Sequence, residues 1–436
     1  MKVKKFGGTS VGSAERIKNV GKLISGDGKN VIVLSAMSGT TNSLIEICDA
    51  LKADDRQLAA KRIKDLRDKY TRVVEDLYGT EEYKSKANQI IDDIFSTIRE
   101  AADADYCIDV RKRIVATGEL MSTNLMHLHL KEKGINAQLL PALDFMKTDI
   151  HGEPDSEYIE REARKAITAC PEADLYITQG FICRNAEGKI DNLERGGSDY
   201  TASLLGAALN ADEIEIWTDI DGMHNNDPRF VEGTTPVHNL HFEEAAELAY
   251  FGAKILHPTC IQPAKARNIP VRLLNTLDPK AKGTLIENTL ERNTIKAVAA
   301  KDNITAIKIK SGRMLLAYGF LKKVFEIFEK YETAIDMITT SEVGVSLTID
   351  NEKNLTPIVE ELKALGTVSI DRDMVIICVV GDLEWTNRGF EAKALEALCN
   401  VPVRMISYGG SNYNISFLIR SEDKVRALRM LSYHLF

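Results

Sequence analysis

Through the first 290 residues, short apolar runs alternate with longer stretches whose apolar positions recur at helical spacing. That alternation predicts a parallel sheet covered by helices on both faces. Lys2 to Phe6 reads as the first strand, with Val3 and Phe6 its apolar members. Ser13 is placed to cap a helix over Ala14 to Ile24, where Ile17, Val20, Leu23 and Ile24 make one stripe. Five further runs read as strands: 31–34, 137–140, 175–178, 214–217 and 271–274. Three of these end in polar or Gly-rich turns, Ser35 to Gly39, Gln179-Gly180 and Thr218-Asp219. Ligands in open α/β sheets bind at the carboxyl ends of strands, so the three turns are expected to converge.

Residues 52–113 interrupt this pattern with two apolar helical stripes, one through Ile63, Leu66, Tyr70, Val73, Val74 and Leu77, the other through Ile90, Ile91, Ile94, Phe95 and Ile98. They predict a helical pair inserted after the second strand, its stripes in the core and its charged residues on a solvated face. Beyond Pro279 the texture changes. Strands at 305–309, 345–349, 374–380 and 415–419 alternate with helices near 320–331, 355–365, 390–399 and 422–433. This predicts two small α+β modules of βαββ type after a boundary near 285–300.

The chain has 436 residues, enough for two or three domains, and a net charge of −8. An acidic balance repels phosphate backbones and anionic lipid, so nucleic acid and membrane are not expected as partners. No apolar run approaches the roughly 20 residues of a membrane span. The first strand begins too near Met1 to leave room for a signal peptide. Seven cysteines, an odd number without a C-x-x-C pair, read as reduced core residues of a cytoplasmic protein.

The chemistry gathers at glycines. Lys5-Phe6-Gly7-Gly8-Thr9-Ser10 joins a strand to a helix N-terminus through a loop that holds an anion on backbone amides. It is not a Walker A loop, because Ser13 rather than Lys follows Gly12, and its spacing is not G-x-G-x-x-G. Glu194-Arg195-Gly196-Gly197-Ser198-Asp199 is a second Gly-Gly turn, with Ser198 placed to cap the next helix. Its guanidinium and carboxylate suit a small zwitterion beside a phosphate. The long polar loop from Trp217 to Arg229 and the segment Phe251 to Pro258, with Lys254, complete the set. His127 and His129 lie on different faces of one helix, and His238 and His241 near Glu243 and Glu244 read as a helix start capped by Asn239 or His241; no metal centre is predicted.

In this order the motifs KFGGTS, VLSAMSGTTN, ATGELMST, QGFI, RGGSDYTA, WTDIDG with NDPR, FGAKILHP and ITTSEVGVSLT resemble the aspartokinases of the amino-acid kinase family over essentially the whole chain. The resemblance implies that family's α/β fold, a parallel-rich sheet sandwiched by helices over residues 1–290, followed by two α+β ACT modules over 291–436. Of these, 313–380 is inserted between 298–311 and 382–436. It implies transfer of the ATP γ-phosphoryl to the side-chain carboxylate of L-aspartate, giving 4-phospho-L-aspartate. Lys5 would neutralise the transferred group and Asp199 orient Lys5. Gly7, Gly8 and Ser10 would donate to phosphate oxygens. Arg195, with Gly196 beside it, would take the substrate α-carboxylate and Glu119 its ammonium, and Ser35 and Thr41 would complete the pocket. Thr218, Asp219, His224, Arg229 and Lys254 match nucleotide-holding positions, and Mg²⁺ is expected to bind through the phosphates.

The ACT modules would bind an amino acid at their interface, through Met314, Gly319, Phe320, Asp336, Thr340, Ser341 and Glu342. Two carboxylates, Asp336 and Glu342, suit the ammonium of L-lysine as a feedback inhibitor. Association through these modules to a homodimer or homotetramer is expected. No homoserine dehydrogenase region follows Phe436, which implies a monofunctional kinase. Two other readings stand beside this one, a glutamate 5-kinase and a silent amino-acid-sensing scaffold; an amino-acid substrate screen separates the first, and ATP binding without turnover would mark the second.

Overall fold

The computed structural model of the protein describes residues 1–26, 28–193, 196–252, 256–312 and 318–436. The chain forms two compact units, Met1–Gly222 with Ile255–Asn288, and Met223–Lys254 with Thr289–Phe436.

The first unit opens with β1 (Lys2–Phe6), α1 (Ala14–Ile24) and β2 (Asn30–Leu34). The Ser13 side chain caps α1 by accepting from the Arg16 N–H, as its sequence predicts. Then comes a helical block, α2 (Thr40–Lys52), α3 (Arg56–Leu77), α4 (Glu81–Asp103) and α5 (Ile108–Glu132). The expected inserted pair is α3 and α4, but helix extends almost unbroken from residue 40 to 132. β3 (Ala137–Leu140), α6 (Ser156–Thr168) and β4 (Leu175–Gln179) follow, then a hairpin of β5 (Ile182–Arg184) and β6 (Ile190–Asn192). α7 (Gly197–Leu209) and β7 (Ile214–Thr218) come next. Residues of the second unit, including β8 (Asn239–His241) and α8 (Phe242–Tyr250), precede the return with α9 (Ile261–Ala266), β9 (Val271–Asn275) and β10 (Thr284–Glu287).

Within the first unit the strands run in the order β3-β4-β2-β1-β7-β9-β10, all neighbours parallel except the antiparallel pair β9–β10. β1 and β2 are buried along nearly their whole length, as central parallel strands should be. One apolar core joins sheet and helical block, with Phe6 stacked on Trp217 at 5.7 Å between ring centroids.

The second unit continues with β11 (Ile295–Lys310), α10 (Phe320–Lys330), β12 (Ile338–Ser341), β13 (Gly344–Ile349), α11 (Leu355–Lys363), β14 (Thr367–Gly381), α12 (Phe390–Ala397), β15 (Met405–Tyr408), β16 (Asn414–Arg420) and α13 (Lys424–Leu435). Its sheet is antiparallel in the order β12-β13-β11-β14-β16-β15. The two modules are therefore not separate sheets. β11 and β14 are long, and each gives one half to either module. Ile307 and Ile309 pack under α10 and α11, whereas Val298, Val375 and Val379 pack in a second core under α12 and α13.

His241 caps α8 with a full capping box: the Glu243 N–H donates to its ring, and its own N–H donates to the Glu244 carboxylate at 2.8 Å. Four of the seven cysteines are buried, while Cys107 and Cys399 are exposed. No described helix is long and apolar enough to cross a membrane.

Candidate active site

The carboxyl ends of four adjacent strands are stitched together by backbone bonds. Gly7 N–H donates to Trp217 O at 3.2 Å, Ser35 N–H to Phe6 O at 3.1 Å, and Gly180 N–H to Leu34 O at 2.9 Å. The turns after β1, β2, β4 and β7 thus meet along one edge of the sheet, and a cleft of about 1120 Å³ opens there. Lys5, Gly8, Ser35, Thr41, Glu119 and Asp199 all line it.

Lys5 sits at the end of β1 and Asp199 in the first turn of α7, and Lys5 Nζ lies 2.6 Å from Asp199 Oδ1. Both side chains are largely buried, so each charge depends on the other. The ammonium would lie 3.6 Å from a Cβ on Gly7, beside the loop amides. Gly8 must lack a side chain, because a Cβ there would stand 2.8 Å from Ala36 O. Ser38 N–H donates to Gly8 O at 3.0 Å, which ties the loop to the turn after β2.

Ser10 takes a different place from the one expected. Its hydroxyl shares a 2.6 Å hydrogen bond with Thr276 Oγ1, and its N–H donates to Gly7 O. Both of its donors face inward, so it anchors the loop. Thr276 in turn donates to Thr218 O from both its N–H (2.8 Å) and its hydroxyl (2.7 Å), linking the phosphate loop to the end of β7. Sequence reasoning missed Thr276, although its place just past the carboxyl end of β9 was a signal for it. Thr218 Oγ1 accepts from Ile220 N–H, and Asp219 is exposed.

Ser198 does not cap α7. Gly196, in the left-handed region at φ 74°, precedes the helix, and Ser198 packs in its first turn against Gly180, where a Cβ would meet it at 2.6 Å. Gly196 also has no room for a side chain, since His257 Cβ would lie 2.5 Å away.

Glu119 comes to the cleft from the middle of α5, 3% exposed. One carboxylate oxygen accepts from Ala36 N–H at 3.1 Å; the other is buried without a hydrogen-bond partner. Burial pushes its pKa up to about 8, with the Ala36 bond opposing. Such an orphaned acceptor is shaped for a cationic donor. Ser35 is held by its backbone, with its carbonyl accepting from Ser122 Oγ at 2.8 Å. Thr41 stands in the first turn of α2.

Other expected residues belong to the second unit. His224 Nδ1 lies 3.0 Å from Thr234 Oγ1, and Arg229 makes a forked contact with Asp227, Nη2 to Oδ2 at 2.6 Å. Arg195, Lys254 and Met314 lie outside the described residues. Gly319, at φ 77°, precedes α10, whose first residue is the buried Phe320. The structure does not bring Asp336 and Glu342 together within the chain. The Asp336 side chain is buried just before β12, held by Lys301 Nζ at 2.7 Å and Tyr250 Oη at 2.8 Å, with its second oxygen unpartnered. Glu342 is exposed in the turn beyond Thr340 and Ser341, on the order of 20 Å of extended chain away. Among the described residues no group of three or more His, Cys, Asp or Glu is placed to hold a metal ion.

A family model described as the amino acid kinase family matches residues 1–275, and an ACT domain model matches 377–435. Lysine-sensitive aspartokinase 3 of Escherichia coli (strain K12) is 33% identical over 447 residues, covering 100% of this chain and 99% of that protein. The crystal structure of E. coli aspartokinase III in complex with aspartate and ADP (R-state) matches with a TM-score of 0.87 at 33% identity, over 100% of both chains. The same enzyme in complex with lysine and aspartate (T-state) matches with a TM-score of 0.81, over 100% of this chain and 99% of that one. A cleft built on Lys5, Asp199 and Glu119, and an end-to-end likeness to these enzymes, lead to one conclusion: the chain belongs to the amino acid kinase family, as an aspartokinase with a C-terminal ACT region.

Proposed function

We propose that this cleft transfers the γ-phosphoryl group of ATP to the side-chain carboxylate of L-aspartate, and that L-lysine inhibits the reaction through the ACT modules. The observation that carries the reading is the Lys5–Asp199 pair facing the same cleft as the orphaned oxygen of Glu119. The aspartate carboxylate, with an ordinary pKa of about 3.9, is ionised at neutral pH and needs no base to act as nucleophile. What the protein must supply is position and positive charge. Lys5 stabilises charge on the group in flight, and Asp199 fixes the ammonium's direction. The Gly8 amide faces the phosphate oxygens, while the Gly7 N–H, taken by Trp217 O, fixes the loop against β7. At the other end Glu119 takes the substrate ammonium and Arg195 its α-carboxylate, with Ser35, Thr41 and Gly196 shaping the space between.

Thr218, Asp219, His224, Arg229 and Lys254 are assigned to the nucleotide. Mg²⁺, held chiefly through the nucleotide phosphates, would supply further neutralisation there. Asp336 takes an effector ammonium, its buried free oxygen being the acceptor. Exposed apolar side chains of the second unit, among them Phe325, Val343, Trp385 and Ile406, support association into a homodimer or homotetramer. The protein is assigned to the cytoplasm.

The test is ADP release with L-aspartate, ATP and Mg²⁺, repeated with added L-lysine or L-threonine. Aspartate-dependent turnover suppressed by lysine is expected. Turnover indifferent to lysine would discard the effector assignment, and no aspartate-dependent turnover would discard the kinase.

A further inference from the structure

The helical block reads from sequence as scaffold, with its charged residues on a solvated face. Lys69 of α3 departs from that. Its Nζ donates to Ser38 O at 2.8 Å and would lie 3.7 Å from a Cβ on Gly39, both residues of the cleft's turn after β2. The side chain is half-buried, and among the described residues no carboxylate pairs with it. Burial lowers its pKa accordingly. An ammonium that gives up part of its hydration for a backbone carbonyl gains little unless that bond secures something.

The next residue works on the same turn. Tyr70, fully buried, shares a 3.0 Å hydrogen bond between its hydroxyl and Thr40 Oγ1. Consecutive residues of α3 thus grip Ser38 and Thr40 on either side of Gly39, which is left-handed at φ 78°. From there the restraint reaches the chemistry. Ser38 N–H holds Gly8 O at 3.0 Å, Ala36 N–H holds Glu119 at 3.1 Å, and Thr41 is the following residue.

We propose that Lys69 is a positioning residue for aspartate: it fixes the Ser38 carbonyl and thereby the turn from Ser35 to Thr41 that shapes the amino-acid end of the cleft. The inference rests on assigning that end to aspartate. It adds that α3 is a working wall of the site, acting through backbone rather than by touching substrate.

The experiment is steady-state ADP release by full-length K69M and K69R, with aspartate and ATP each varied and thermal unfolding recorded beside them. K69M is expected to raise KM for aspartate about tenfold, the size of losing one charge-assisted hydrogen bond, while KM for ATP moves little. K69R, which keeps a charged donor of similar reach, is expected to recover most of that loss. If K69M does not fold, K69Q carries the same expectation at smaller size. An unchanged KM for aspartate in K69M overturns the proposal. So does an equal fall in kcat with both KM values, tracking a lowered Tm and not recovered by Arg. Wild-type protein without aspartate-dependent turnover would instead remove the functional reading beneath it.

Discussion

Lys5 and Asp199 stand far apart in the first unit's sequence, yet Nζ and Oδ1 meet at 2.6 Å where β1 and α7 converge. Removing Lys5 takes away the ammonium seated beside Gly7 and leaves Asp199 buried and unpaired. K5A is expected to lose on the order of 10²–10³ in kcat. Loss of one partner of such a pair also costs about 3–5 kcal/mol of stability, so thermal unfolding must accompany the rate measurement. A folded K5A with near-normal turnover would exclude the loop from the chemistry.

Glu119 makes aspartate binding pH-dependent. With its pKa pushed up to about 8, the free enzyme holds this carboxyl protonated at neutral pH, and only the ionised form accepts an ammonium well. KM for aspartate is expected to fall as pH rises from 6.5 towards 8.5 and to level off beyond. E119Q should bind weakly at every pH and lose that slope. Stability carries the opposite sign. The folded state retains a proton that the unfolded chain releases above about 4.5, so this group's contribution declines as pH rises from 4.5 to 8. Thermal melts of E119Q against wild type across that window should show the decline gone.

Gly118 tests how tightly α5 is packed on the amino-acid end. A Cβ there would stand 2.9 Å from Ala36 Cβ and 3.3 Å from Leu44 Cδ1. G118A must displace the Ala36 turn, whose amide holds Glu119. The expected result is a rise of several-fold or more in KM for aspartate, with about 1–3 kcal/mol lost in denaturant unfolding. Unaltered binding would mean the turn yields without consequence.

Asp336 should separate regulation from catalysis. D336A is expected to keep uninhibited turnover and to raise the L-lysine concentration for half-inhibition at least tenfold. Asp350, 2.9 Å from Lys301, remains to pair that ammonium, so the variant should fold. Inhibition at the wild-type concentration would place the effector elsewhere.

How far these features were legible in the sequence depended on how local their causes are. Ser13 before an amphipathic stripe set the start of α1, and the five buried strands fell within one residue of their predicted ends, because apolar runs between turn formers are local signals. The full length of β11 was not legible. Lys301-Asp302-Asn303 looks like a turn, and Asn303 indeed has φ 60°, but there the strand carries a register shift against β14 and continues. β12 was missed as a strand because Thr339, Thr340 and Ser341 are polar and partly exposed. In the cleft, motifs named Lys5, Glu119 and Asp199. Thr276 and Lys69 escaped because each bonds a backbone carbonyl, which no residue motif records, and only the place of Thr276 just past β9 marked it.

The sharing of β11 and β14 between two cores also dictates an order of synthesis. β14 needs β16, whose register runs from Asn414 to Arg420 opposite Val380 to Met374. A ribosome that has delivered α10, α11 and both long strands has still left one side of β14 without its neighbour. An edge of that length, all apolar from Met374 to Val380, invites pairing with another nascent chain. Polysome-bound copies are therefore most exposed to misassembly between the delivery of β14 and that of β16, and chaperone dependence should concentrate in that interval.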